Sequence, residues 1–553
     1  VSYLIAFVIL LGVLIFVHEL GHFIAARLFG VRVEVFSIGF GPKLIAWRRK
    51  HTEYRISAVP LGGYVKMFGE DPTAEVAPEL ASYSFLHQRP WKRALVVAAG
   101  PFSNLLLPIL LLIGIYLIGY PDLASVIGRV KPGYQAYKAG LLAGDRIVAV
   151  DGEKVDTWDE MSARIKNKLN EQVDLLVKRD NWQFSVKVRT VEGEGVDVFG
   201  EPKKIGLIGI RPDPYTSVVG VSDIYGLAYV AGLRTGDEII EINGKPIKYF
   251  FELQKEIWAS AGKRVSLKVG RGDKKFPVEF TPRSKLTDEQ CRWYAKEGLC
   301  GEADMEPAVF YIQKILPGSV AEKAGLKVGD RIFGVDGKEL QEIEEFIEEV
   351  QKRANQSLKL TVLRDGKPVE LNITPQAEKI TDFVGRAQTV GKIGVEFYPA
   401  MGFGFDQVVR FGPVKAFVYG IEKAGYWTWI TIQAFWRIIV GRISVRTIGG
   451  PIMIANLAGE AMSLGFLPYL FLMAIISLNL FVINLFPVPA LDGGMLVILA
   501  IEAIRRKPLS QRVQEAYQRI GFALLMLLVI LVFYNDISRY WSAIGGAIKG
   551  IFK

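Results

Sequence analysis

Two residue types that commonly build metal and redox sites are scarce in this chain. Of 553 residues only two are cysteine, Cys291 and Cys300, and four are histidine. Two thiols exclude a cysteine-built zinc site and a disulfide framework. Charge is missing at the start, where residues 1–17 carry none. No separable secretory leader is expected either, because the first apolar run already holds a histidine pair that cleavage would discard.

What is present points to a membrane. Half the residues are hydrophobic, yet 22% are charged, and the mean hydropathy is +0.25. That mixture suits a membrane protein with a large soluble portion. The net charge of +10 does not call for nucleic acid, since many basic residues flank apolar spans, where they set topology and meet anionic lipid.

Four stretches read as spanning helices: 2–28, 94–119, 467–486 and 519–535. A span needs roughly 20 apolar residues. Between the first two lie Arg32, Lys43, Arg48, Arg49, Lys50, Arg55, Lys66, Arg89, Lys92 and Arg93, and between the last two Arg505, Arg506, Lys507 and Arg512. The positive-inside rule makes both loops cytoplasmic, which leaves both termini and residues 120–466 outside. In the loop 30–93, runs at 31–37, 43–47, 53–59 and 64–68 are separated by turn residues, a pattern for a small antiparallel sheet. Its edge could pair with an extended substrate or simply cap the bundle.

The outer segment repeats itself. Ala139-Gly140-Leu141 leads to Gly144-Asp145 and then Asp151-Gly152. Ala231-Gly232-Leu233 leads to Gly236-Asp237 and Asn243-Gly244, and Ala324-Gly325-Leu326 leads to Gly329-Asp330 and Asp336-Gly337. Each copy makes a turn into an apolar strand closed by a two-residue turn, and the spacing suits a small domain. The pattern resembles bacterial, protease-associated PDZ domains, expected at 122–192, 205–285 and 306–398. Such domains bind peptide ends by strand addition. The second copy departs upstream, at Ser222-Asp223-Ile224-Tyr225-Gly226. Cys291 and Cys300 fall in the expected linker between the last two copies, as a disulfide or as two free thiols. Residues 403–465 mix aromatics with charge and read as one or two amphipathic helices on the outer face. A fifth span near 413–436 is the competing reading.

The chemistry concentrates in His18-Glu19-Leu20-Gly21-His22. On a helix, His18 and His22 share a face and can hold one metal ion, with Glu19 placed to deprotonate a water on it. Ionisable residues inside a span default to function. A catalytic zinc takes three protein ligands. His51 and His87 lie in the basic loop and read as surface residues. Asp492 is the better third ligand, on the run 484–494 that Pro487 and Pro489 force out of helix. Span one reaches His18 after roughly 25 Å and span three reaches its break after roughly 30 Å, so both half-sites land near the cytoplasmic side.

HELGH in the first span and N-x-x-P-x-P-x-L-D-G-G in a late span resemble the site-2 protease family of intramembrane zinc metalloproteases. The PDZ-like copies resemble its bacterial RseP-type branch, and Phe40-Gly41-Pro42, Pro60-Leu61-Gly62-Gly63-Tyr64-Val65-Lys66-Met67 and Gly100-Pro101-Phe102-Ser103-Asn104 are similar to family segments. Three copies instead of two is a departure. The resemblance implies Zn2+ held by His18, His22 and Asp492, with Glu19 as general base. It implies that Asn484 lies beside the substrate and that the sheet at 31–69, with Gly62 and Gly63, engages an unwound substrate. Asn104 reads as helix packing first and site lining second.

The expected fold is a polytopic α-helical membrane protein of about four spans, with a small cytoplasmic membrane-associated β-sheet and a tandem of α+β PDZ-like domains outside. It is expected in a bacterial inner membrane. The expected activity is cleavage of transmembrane segments of trimmed single-span proteins, such as anti-sigma factors or signal-peptide remnants. The PDZ-like domains would gate access and bind peptide C-termini. The alternative is an inactive, membrane-anchored PDZ adaptor.

Overall fold

Apolar length dictates the first element: residues 2–28 hold a helix, and nothing charged interrupts it before Glu19. The computed structural model describes residues 2–71, 76–287, 291, 294, 298–381, 387–402, 404, 406–507 and 509–551. The chain divides into two compact units, one built from Val1–Tyr120 with Arg410–Lys553, the other from Pro121–Asp382 with Arg386–Val409.

The helices of the first unit are numbered α1 (Ser2–Leu28), α2 (Pro90–Ile118), α3 (Pro413–Ile439), α4 (Pro451–Leu464), α5 (Phe466–Leu485), α6 (Asp492–Arg505) and α7 (Gln511–Ile551). Four carry stretches long and apolar enough to cross a membrane: Tyr3–Leu28, Pro90–Ile118, Phe466–Leu485 and Arg512–Arg539. The last is longer than the expected 519–535 because polar turns at both ends continue the helix. Leu10 and Leu14 of α1, with Ala458 of α4 and Tyr469 of α5, form one core of this unit.

Helix α3 packs on the bundle through one face. Its buried residues Ala416, Gly420 and Ala424 repeat every fourth position, a small-residue stripe that permits close helix approach. A Cβ on Gly420 would stand 2.7 Å from Ile113 of α2. From there α3 crosses obliquely: Tyr419 meets Tyr116 near the end of α2, Thr431 donates to Asn479 Oδ1 of α5 at 2.8 Å, and Phe435 meets Phe486 just past α5. Helix α4 turns back, and its first turn is capped by the fully buried Asp536 of α7, which accepts the Gly450, Ile452 and Met453 amides.

The loop after α1 forms two long strands, β1 (Val33–Arg49) and β2 (Thr52–Met67), rather than four separate ones. Both bend through bulges, so the expected four-ribbon sheet is nonetheless there. Ser37 pairs with Tyr64 on one side and Arg55 on the other, while Trp47 pairs with Tyr54. The segment 63–67 is thereby an edge. The sheet packs on α1 through Phe36 against Phe23 and through Arg27 donating to Thr52 Oγ1 at 2.7 Å.

The second unit contains the three repeats. In each, the Asp-Gly or Asn-Gly turn has its first residue at positive φ (Asp151 50°, Asn243 49°, Asp336 49°), the geometry two-residue hairpins require. The Asp that follows each Ala-Gly-Leu does a second job. Asp145, Asp237 and Asp330 each accept a backbone amide three residues back and two bonds from an arginine, Arg179, Arg271 and Arg364, whose guanidinium also reaches Gly140, Gly232 or Gly325 O.

The first two modules run further than 192 and 285, because each is closed by a strand beyond those points. Arg129–Val130 pairs with Ile210–Arg211, Val218–Gly220 with Glu306–Pro307, and Ile312–Ile315 with Val395–Phe397. An extra hairpin precedes each closing strand. Its Gly206, Gly301 or Gly391 lies where a Cβ would strike the carbonyl of Lys168, Ile257 or Val350 at 2.2 Å or less. Cys291 and Cys300 are disulfide-bonded and lie on the second of these hairpins, where Cys300 pairs with Lys285, not in a linker.

Candidate active site

Helix α1 brings its two imidazoles together by spacing alone: His18 Nε2 and His22 Nε2 are 3.2 Å apart. The carboxylate arrives from the other end of the chain. After α5, residues 486–491 leave the helix, with Ala490 at φ 78°, and α6 begins at Asp492. Gly493 and Gly494 make that turn possible, since a Cβ on either would fall 2.2–2.3 Å from Phe486 O or Val488 O. Asp492 Oδ2 then lies 3.2 Å from His18 Nε2 and Oδ1 lies 3.6 Å from His22 Nε2. The three ligand atoms lie within 4.8 Å of one another.

Helix α2 orients both rings. Gly100 lets it approach, because a Cβ there would stand 2.2 Å from His22 Nε2. His22 Nδ1 is 2.9 Å from Val96 O, so it carries the proton and Nε2 keeps its lone pair for a metal. Asn104 Nδ2 faces His18 Nδ1 at 3.2 Å, while Asn104 Oδ1 is buried without a partner. Turned end for end, the amide would accept a proton from His18 Nδ1 and satisfy that oxygen, leaving His18 Nε2 free to ligate. Two imidazoles, each oriented by a group of α2 behind it, and one carboxylate fit a catalytic zinc.

The donors line a cavity of about 530 Å3, with Glu19 beside them and the edge segment Gly63, Tyr64, Val65 and Met67 along one wall. A Cβ on Gly63 would stand 2.9 Å from Glu19 Cγ and 2.8 Å from Ser37 O, so this glycine sets how closely the edge passes the acid. Burial pushes the Glu70 carboxyl, at the rim outside the spans, above its ordinary range.

The other expected residues fall elsewhere. Gly62 backs onto the Phe40 ring. Asn484 is half-buried on the last turn of α5 and does not line this cavity. His51 is exposed in the β1–β2 turn, and His87 bonds Ser84 Oγ at 2.9 Å. Asn104 does not line this cavity either: its side chain meets His18 from behind, and its backbone carbonyl accepts from Ser477 Oγ of α5 at 2.8 Å. Its place one turn beyond Gly100 was the available signal.

A His-Glu-His helix meeting a distant aspartate inside a bundle of apolar helices defines the class of membrane metalloproteases. The family model described as peptidase family M50 matches residues 6–528. The chain belongs to this family and is a zinc metalloendopeptidase of the site-2 protease type. It is 32% identical over 541 residues to the regulator of sigma-E protease RseP of Salmonella typhimurium, covering 97% of this chain and 98% of that one. It is 32% identical over 543 residues to the protein of the same name from Escherichia coli K12, with the same coverage. A Neisseria meningitidis serogroup A chain named as a candidate zinc metalloprotease is 31% identical over 539 residues, 97% of this chain and 99% of that one. Among solved structures, the PDZ domain of an SdrC-like protein from Listeria monocytogenes is 24% identical, covers 16% of this chain and 86% of that one, and has a TM-score of 0.13.

Proposed function

We propose that this chain hydrolyses peptide bonds within the transmembrane segments of single-span proteins already trimmed outside a bacterial inner membrane. His18, His22 and Asp492 hold the zinc and Glu19 is the general base. The observation that carries this reading is the convergence of the three donors beside Glu19, in a cavity walled by a strand edge. Zinc, when bound, supplies Lewis acidity at the scissile carbonyl and makes nearby water easier to deprotonate. The Glu19 carboxylate takes a proton from the attacking water as the new C–O bond forms, then delivers it to the amide nitrogen, and the C–N bond breaks in that second step. A helical substrate hides its carbonyls in its own hydrogen bonds. Pairing of an unwound stretch with the edge 63–67 would expose them and hold the chain extended.

The repeats serve as a size filter and docking site on the outer side, with the sheet on the cytoplasmic side. Support for peptide docking comes from a cavity of about 330 Å3 in the first module. It lies between helix Trp158–Lys166 and strand Ile210–Arg211 and is lined by Met161, Ile165 and Ile208. Two relatives carry names that tie them to sigma-E, which supports anti-sigma factors as one substrate class.

The test is cleavage of a model single-span substrate by the full chain in lipid. Glu19→Gln should lower the rate by about 10²–10⁴-fold with zinc retained. Equal cleavage by both would defeat the assignment.

A further inference from the structure

Helix α2 touches both histidines of the proposed zinc site, and it also holds the helix that carries the third ligand. Along one stripe, the Val96 carbonyl meets His22, Gly100 admits the His22 ring, and Asn104 reaches His18. Arg93 lies one turn before Val96 on α2. Its partner is Glu502, on the helix that begins at Asp492: Arg93 Nη1 donates to Glu502 Oε2 at 3.2 Å, with side chains only 10% and 5% exposed.

We propose that Arg93 and Glu502 are a positioning pair for the metal centre. They lock α6 along the axis of α2 and so set the distance between Asp492 and the two histidines. The inference rests on the zinc reading above.

The need for such a lock follows from how α6 is attached. Residues 486–491 are non-helical and include Pro487 and Pro489, so α5 does not impose its axis on α6. Apolar packing alone leaves freedom to slide, since Leu499 against Val96 and Val97 is non-directional. A buried ion pair is not free to slide, because displacement leaves both charges uncompensated. Glu502 is also saturated: Oε1 accepts from the Leu509 amide at 3.3 Å and from Gln514 Nε2 at 3.4 Å, tying in the turn toward α7. Glu502 lies about 15 Å along a continuous helix from Asp492. A shift at one end therefore reaches the carboxylate undiminished. Because His22 and Glu502 both refer to α2 within one turn, the pair fixes one half-site against the other.

The experiment measures zinc affinity of the full chain by competition with a chromophoric chelator, together with the visible spectrum of the Co2+-loaded protein. Wild type should bind one zinc. Arg93→Ala should weaken binding about 10–100-fold, the range for groups that orient metal ligands. Glu502→Gln, which keeps the shape and removes the charge, should weaken it less but in the same direction. Both should alter the Co2+ ligand-field bands. The Arg93→Glu/Glu502→Arg exchange should recover most of the affinity and the wild-type spectrum. Wild type without zinc overturns the zinc reading and this inference together. Zinc-binding wild type, with Arg93→Ala and Glu502→Gln unchanged in affinity and spectrum, overturns the inference alone. Should Arg93→Ala fail to fold, Glu502→Gln carries the same decision.

Discussion

Replacing the aspartate that closes each repeat's turn should separate the three modules by how much water their arginines see. The three clamps share one bonding pattern but not one environment. The aspartate is 1% exposed in all three, whereas the arginine is 6% exposed in the first module, 22% in the third and 45% in the second. Removing one partner of a fully buried pair leaves an uncompensated charge and costs about 3–5 kcal/mol. Asp145→Ala should therefore destabilise the first module by about that much. In the second module the freed Arg271 guanidinium already meets solvent, and the loss reduces to the orphaned turn amide, about 1–3 kcal/mol. Asp330→Ala should fall between.

The assay is hydrogen exchange of the full chain, followed at strands Arg146–Val150, Asp237–Ile242 and Arg331–Val335. At about 1.4 kcal/mol per tenfold, exchange in the first should accelerate by roughly two to three and a half powers of ten and in the second by one to two. Asp145→Ala combined with Arg179→Met should regain most of the loss, because no buried charge remains. Equal effects in all three modules, or a double variant as weak as the single, would show that burial of the arginine does not set the cost.

Gly63→Val should cut turnover of a membrane substrate by about 10²-fold while zinc content stays unchanged, since the side chain would push the strand edge off Glu19 by about an ångström; normal turnover would remove the edge from the mechanism. The junction between the first and third modules should loosen in acid. Arg129 donates to Glu344, and Lys131 pairs with Glu345. Burial raises both carboxyls, but the cations outweigh it and hold them below the usual range. Their stabilisation is thus complete above the ordinary glutamate value near pH ~4.3 and is lost as pH falls through the lower folded values. Exchange at helix Ile343–Lys352 should rise below about pH 4 in wild type, and Arg129→Ala should flatten that rise.

The spans and both half-sites were legible because each is a local pattern: an uninterrupted apolar run, a histidine pair one turn apart, a proline break ending in Leu-Asp-Gly-Gly. The packing of helix α3 was not. Lys415 and Lys423 crowd its sequence, yet they lie over the Phe411 and Tyr419 rings while the small residues face the bundle. The module ends were hidden for a different reason. Their closing strands follow glycine-bearing hairpins with little hydrophobic alternation, and strand pairing alone shows that they return to the start of each copy. The arginine partners lie 34 residues after Asp145, Asp237 and Asp330 in every copy, a regularity the sequence does contain. Arg93 had no such signal, because its partner is set only by the packing of α6 on α2.

Under the proposed function, one metal joins the start of the chain to Asp492. This link is tested most directly by X-ray absorption and zinc content of the purified full chain, wild type against Asp492→Ala. The wild type should show one zinc with two nitrogen ligands at about 2.0–2.1 Å and carboxylate oxygen beside them, lost in the variant. A zinc held equally tightly without Asp492, or none in the wild type, would contradict it.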